Sequence, residues 1–183
     1  MSERKEELLH AAAEWTLDHG LSQLSLRPLA SDLKTSARML LYHFESREGL
    51  VEAILEHLFL QWEAEISDLL RESDSPKSAL QQLWRQELRN PKSQKMHRLI
   101  LDLWIGATIH QDPTLQKATQ WVFASWQEAI TTLIAPLSKT KEEAQSKASL
   151  LIASMDGLLL QSLADPEISI DEPFELLLEK LFP

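Results

Sequence analysis

Apolar residues recur at three- and four-residue spacing along almost the whole chain, with few β-branched runs, so the pattern predicts helices and little sheet. Leu8, Leu9, Ala12, Ala13 and Trp15 form a first face. The helix that carries it is expected to end near Asp18, where His19 supplies a last-turn cation and Gly20 a residue able to take a left-handed cap. Ser25 then stands as an N-cap ahead of Leu26, Leu29, Ala30 and Leu33, with Pro28 in the first turn, where its missing N–H is harmless. A break at Lys34 and Thr35 separates this short helix from a third over 36–42. A loop of His43, Phe44 and Glu45 and a cap at Ser46 are expected next. From there Leu50, Ile54, Leu55, Leu58, Phe59, Trp62, Ile66, Leu69 and Leu70 trace one long amphipathic helix, stopped by Ser73-Asp74-Ser75-Pro76. Further helices are predicted over 76–89, 93–109, 113–137, 140–163 and 172–181, which makes about nine in an all-α fold.

Composition narrows the class. At 183 residues, 44% of them hydrophobic, the chain can bury a sizeable core as one compact fold or two small units, and disorder is excluded. With no cysteine there is neither a disulfide framework nor a thiolate metal site, which fits a cytoplasmic protein. The charged start Glu3-Arg4-Lys5-Glu6-Glu7 does not read as a signal peptide, and no run of about 18 apolar residues offers a membrane span. Net charge is −10, which weighs against a nucleic-acid partner until it is resolved along the chain. Residues 1–50 hold six basic and eight acidic groups, so most of the excess acid lies downstream. Between Ser25 and Arg47 the cations Arg27, Lys34, Arg38 and Arg47 face only Asp32 and Glu45. Enzyme motifs are missing: there is no Gly-x-Ser-x-Gly, no His-Glu-x-x-His and no phosphate-cradling glycine loop. The six histidines are scattered without metal-ligand spacing, so no catalytic residue, metal or cofactor is expected.

Residues 25–43 have the dimensions of a helix-turn-helix, whose second helix offers its N-terminal half to the major groove. Leu29, Ala30, Leu33 and Leu40 are spaced to pack on the first helix, which leaves Ser36, Ala37, Arg38, Met39, Leu41, Tyr42 and His43 to point outward. Arg38 has the reach for a guanine edge, and Ser36 and Tyr42 can donate to phosphates. Ala37, Met39 or Leu41 suit thymine methyls. Ser25, Arg27, Lys34 and Arg47 complete the candidate DNA-binding set, with Arg27 and Arg47 placed to bracket the backbone.

The run from Leu24 to Leu50 resembles the TetR family of transcriptional regulators, and the likeness extends from Leu8 to about Leu55. It rests on the cap Ser25, the pair Leu29-Ala30, Ser36 at the start of the second helix, and the signature Tyr42-His43-Phe44-Glu45-Ser46-Arg47-Glu48-Gly49-Leu50. The resemblance implies a homodimer on a palindromic double-stranded DNA operator, most often a repressor released by a small-molecule effector. A helix-turn-helix domain would occupy 1–50 and an effector-binding and dimerisation domain 51–183. Two positions depart from the family. Lys34 stands where glycine is usual, at a cost of order 1 kcal/mol if the backbone there is left-handed and none if it is right-handed. The family's phosphate-binding tyrosine aligns with Leu41, so the role passes to Tyr42.

Downstream, Trp62, Met96, Trp104, Trp126 and Met155 are the candidates to line a hydrophobic effector pocket. The stretch 149–166 resembles the family's dimerisation helix. Together with the helix over 113–137, it nominates Trp121, Ser149, Ile152, Asp156, Gly157 and Leu160 for the dimer interface. The competing reading is a helical protein-interaction or hydrophobic-ligand carrier module of the same fold without specific DNA binding.

Overall fold

Nine α-helices and two single 3₁₀ turns make up the described part of the computed structural model, residues 3–183; the side chains of Leu69 and Leu70, expected on the long helix's apolar face, lie outside it. The helices are α1 (Glu3–His19), α2 (Leu26–Asp32), α3 (Ala37–Phe44), α4 (Arg47–Arg71), α5 (Pro76–Arg89), α6 (Pro91–Thr108), α7 (Pro113–Ile134), α8 (Lys141–Ala164) and α9 (Asp171–Leu181). The all-α expectation holds, with shifts at the ends. Phe44, expected in a loop, is the last residue of α3 and is buried; Glu45 closes that helix instead, in a left-handed conformation with φ 69°. The start of α6 moves back to Pro91, because Asn90 caps it by accepting the Lys92 N–H and proline suits a first turn. The last residues expected in α7 form a 3₁₀ turn, Ala135–Leu137.

Two compact units share the chain. The first comprises Met1–Glu65 and Asn90–Val122, and the second Ile66–Arg89 and Phe123–Pro183. In the first, Ala12 and Ala13 of α1, Leu29 of α2, Leu40 of α3, Ile54 and Leu58 of α4, and Leu99 and Leu103 of α6 are all buried. Small residues on α1 let neighbouring helices approach closely. Trp15 Nε1 donates to Asp32 Oδ2 at 2.8 Å, so the end of α2 is tied to α1, and the Trp15 ring stacks on His19 at 4.2 Å. Phe59, Trp62, His97 and Trp121 form a second ring cluster, with neighbouring centroids about 6 Å apart.

In the second unit, Trp84 of α5 stacks on Phe174 of α9 at 4.3 Å, and its Nε1 donates to Asp171 Oδ1 at 2.8 Å. Gln81 donates to both oxygens of Glu175. Gln127 of α7 reaches α8 twice: it donates to the Gln145 carbonyl and accepts from the Ser149 hydroxyl. Thr140 caps α8 through the Glu143 N–H, and Glu143 in turn accepts from the Lys139 N–H. No helix among the described residues is long and apolar enough to cross a membrane.

Candidate nucleic-acid interface

The helix-turn-helix is built by local chemistry at each corner. Ser36 caps α3, its Oγ accepting the Met39 N–H at 3.2 Å. Between the helices, Thr35 N–H donates to Ala30 O at 2.9 Å, and Lys34 adopts φ 51°. The left-handed alternative is therefore the one realised, and the lysine carries a strain of order 1 kcal/mol that glycine would not. At the other end of α3, Ser46 Oγ accepts from Gly49 N–H at 2.9 Å. A Cβ on Gly49 would lie 2.4 Å from the Phe44 carbonyl oxygen, so only glycine fits there.

On α3 the inward side holds Leu40 and Phe44, both buried, as the core of a recognition helix should. The outward side exposes Arg38, Met39, Leu41 and Tyr42, with Tyr42 77% accessible and therefore free to reach a ligand the size of DNA. Ser36 is exposed and Ala37 half-buried beside them. His43 departs from this outward set: it is half-buried, packs edge-on against Tyr42, and its Nε2 is enclosed without a hydrogen bond. Ser25, Arg27 and Lys34 are exposed, and the Ser25 hydroxyl makes no capping bond, which leaves it available.

Arg47 is more engaged than the other cations. Its Nη2 donates to the Leu24 carbonyl at 3.4 Å, and its Nη1 lies 3.8 Å from Glu48. It lines a cavity of about 200 Å³ together with Leu21, Ser22, Asp102, Ile105 and Leu115. Asp102 of α6 is a residue that sequence reasoning missed. Its Oδ2 accepts the N–H groups of Leu21 and Ser22 at 2.8 and 3.2 Å. That contact joins residues some eighty positions apart, and no periodicity announces it.

The candidates for ligand and dimer contacts fall in both units. Trp62 and Met96 are buried and Trp104 half-buried in the first unit. Burial holds the neighbouring His97 below the ordinary histidine range, against the opposing effect of its bond to Ser93 O. In the second unit Trp126 is half-buried and Met155 buried. Trp121 of the first unit is partly exposed. On α8, Ser149, Ala153 and Leu160 are exposed and Gly157 has nothing within 4 Å of where a Cβ would stand; together they form an outward stripe of mostly small residues. Ile152 and Asp156 flank it half-buried. Burial alone raises the Asp156 carboxyl from 3.8 to about 6.

Residues 8–54 match the family profile of bacterial regulatory proteins, tetR family, and residues 78–169 match the C-terminal domain of LmrA/YxaF-like transcriptional regulators. The nicotine-responsive repressor HdnoR of Paenarthrobacter nicotinovorans is 23% identical over 171 residues, covering 90% of this chain and 86% of that one. Among solved structures, the multidrug binding protein EbrR complexed with imidazole superposes with a TM-score of 0.73 at 21% identity, covering 100% of this chain and 92% of its own. A Saccharomonospora viridis protein in complex with choline gives 0.77 at 21% identity, over 98% and 95%.

Proposed function

The chain belongs to the TetR family of transcriptional regulators, a non-enzymatic, DNA-binding family, and on that premise we propose that it is a repressor that binds a palindromic operator as a homodimer and leaves it when a small-molecule effector binds. The observation that carries the reading is the division of α3 into a buried side, Leu40 and Phe44, and an exposed side bearing Ser36, Arg38, Met39, Leu41 and Tyr42. In this reading Arg38 reads a guanine edge, Ser36 and Tyr42 hold phosphates, and Met39 and Leu41 meet thymine methyls. Arg27, Lys34 and Arg47 supply the phosphate attraction that the acidic remainder of the chain lacks.

The outward stripe of α8 supports a dimer, because small residues and leucines on an exposed helix face suit close packing against a second copy. Two such recognition helices would meet half-sites one helical turn apart, about 34–36 Å. HdnoR, a nicotine-responsive repressor, and the relatives holding imidazole and choline support a small-molecule effector, with Trp62, Met96 and Trp104 as its contacts in the first unit. Binding would favour a conformer whose recognition helices no longer fit both half-sites. The test is selection of duplexes from a random pool by the purified chain at about 0.15 M salt, followed by a salt titration of the winner. An inverted repeat bound with a steep negative salt slope is expected. No enriched sequence, with binding no tighter than about 10⁻⁶ M, would refute the operator reading and favour an interaction or carrier module.

A further inference from the structure

Within the first unit, α6 grips the chain just ahead of the helix-turn-helix at two points on one face. Lys95 forms an ion pair with Asp18 in the last turn of α1, which lowers the Asp18 carboxyl below its ordinary range. Two helical turns further along, Asp102 accepts the N–H groups of Leu21 and Ser22. Those N–H groups open the 3₁₀ turn Leu21–Gln23, so they are donors that the turn itself cannot satisfy. Gly20, immediately before them, has φ 86°, and a Cβ there would stand 3.0 Å from the same Asp102 oxygen. The backbone conformation there calls for glycine, and the carboxylate lies close against it. After the turn, buried Leu24 leads directly to Ser25 and α2.

We infer that Asp102 is a positioning residue for operator recognition: held by α6, its carboxylate fixes the 3₁₀ turn from which α2 and α3 continue, and so sets where the recognition helix points. It touches no base or phosphate, and as an anion it could only repel the DNA backbone. Its effect therefore falls on binding that needs two recognition helices correctly aimed at once, and hardly at all on general attraction to DNA. The inference rests on the dimeric-operator reading above.

The experiment uses the full chain and the symmetric duplex that the wild type enriches, a version with one half-site scrambled, and a fully scrambled duplex. D102A is expected to lose at least tenfold in affinity for the symmetric duplex and less than threefold for the other two. Amide exchange at Leu21 and Ser22 should accelerate at least tenfold. D102N, whose amide oxygen still accepts both N–H groups, should recover most of the loss in each measurement. Wild-type affinity of D102A for the symmetric duplex, with faster exchange, overturns the inference. So does an equal loss on all three duplexes that D102N fails to rescue. Should D102A not fold, D102S decides, since it keeps a polar side chain at the site but one too short to hold both N–H groups: the same selective loss supports the inference and wild-type selectivity overturns it. A wild-type chain that enriches no symmetric duplex removes the dimeric-operator reading and this inference with it. A wild type that does, with variants indistinguishable from it, overturns this inference alone.

Discussion

Replacing Asp156 by asparagine should make the protein more stable at neutral pH. The side chain sits half-buried on α8 between Ile152 and Leu160, and desolvation alone lifts its carboxyl from 3.8 to about 6. Because the folded state holds the proton more tightly than the unfolded chain, the relative stability this group gives is full below pH 3.8. It is lost as pH rises to about 6. At about 1.36 kcal/mol per pH unit, the gap corresponds to a penalty of roughly 3 kcal/mol at pH 7, an upper figure because part of the side chain still meets water. D156N carries no charge to desolvate. Urea unfolding of both proteins, from pH 4.5 to 8, should show D156N gaining on the wild type as pH rises, by up to about 3 kcal/mol; the histidines held low by burial act alike in both proteins and cancel in the difference. The advantage should shrink toward zero near pH 4. Equal stability at pH 7, or a difference that does not change with pH, would refute the assignment of an ionised, desolvated Asp156.

Other substitutions probe the interface and the dimer. Lys34→Gly relieves a residue held at φ 51° and should raise stability by about 1 kcal/mol in urea unfolding, while the salt slope of DNA binding falls by about one. Arg38→Ala should relax base preference at one operator position at a cost of about 1–3 kcal/mol, whereas Arg27→Ala should weaken all duplexes alike; a uniform loss for Arg38→Ala in repeated selection would deny it base reading. Leu160→Glu places a charge on the outward stripe of α8, so sedimentation should show monomer at concentrations where the wild type is dimeric, and an unchanged dimer would exclude this face.

The helix-turn-helix was legible because its determinants are local. A serine three residues ahead of a bonded N–H, a leucine on the core side and a glycine with no room for a Cβ all leave their mark within a few positions of one another, as Ser36, Leu40 and Gly49 do. The handedness of the turn at Lys34 was not legible, since the residue type admits both conformations and the packing of α2 against its neighbours selects one. Phe44 is expected in the loop ahead of the Ser46 cap, yet its burial draws it into a last helical turn, and the left-handed position falls to Glu45. The spacing of apolar residues starts the next helix at 93, whereas Asn90 and Pro91 already form its cap and first turn. Asp102 and Gly20 meet across a long sequence separation, and nothing in the helical period of α6 marks which of its polar residues finds a backbone donor.

The first unit is assembled from two separated pieces of chain, and this has a consequence for its birth on the ribosome. When Glu65 leaves the exit tunnel, α1 to α3 are already made, but Met96, Leu99 and Leu103, which complete their unit's core, have not yet emerged. Roughly 60 further residues must be added before Val122 completes the unit, which is on the order of 3–12 s of synthesis. Through that interval the nascent N-terminal helices present uncovered apolar surface, while α5 of the other unit is being made. The DNA-reading segment is thus translated before the piece of chain that completes its core. A chaperone that engages this protein during translation would find its surface there.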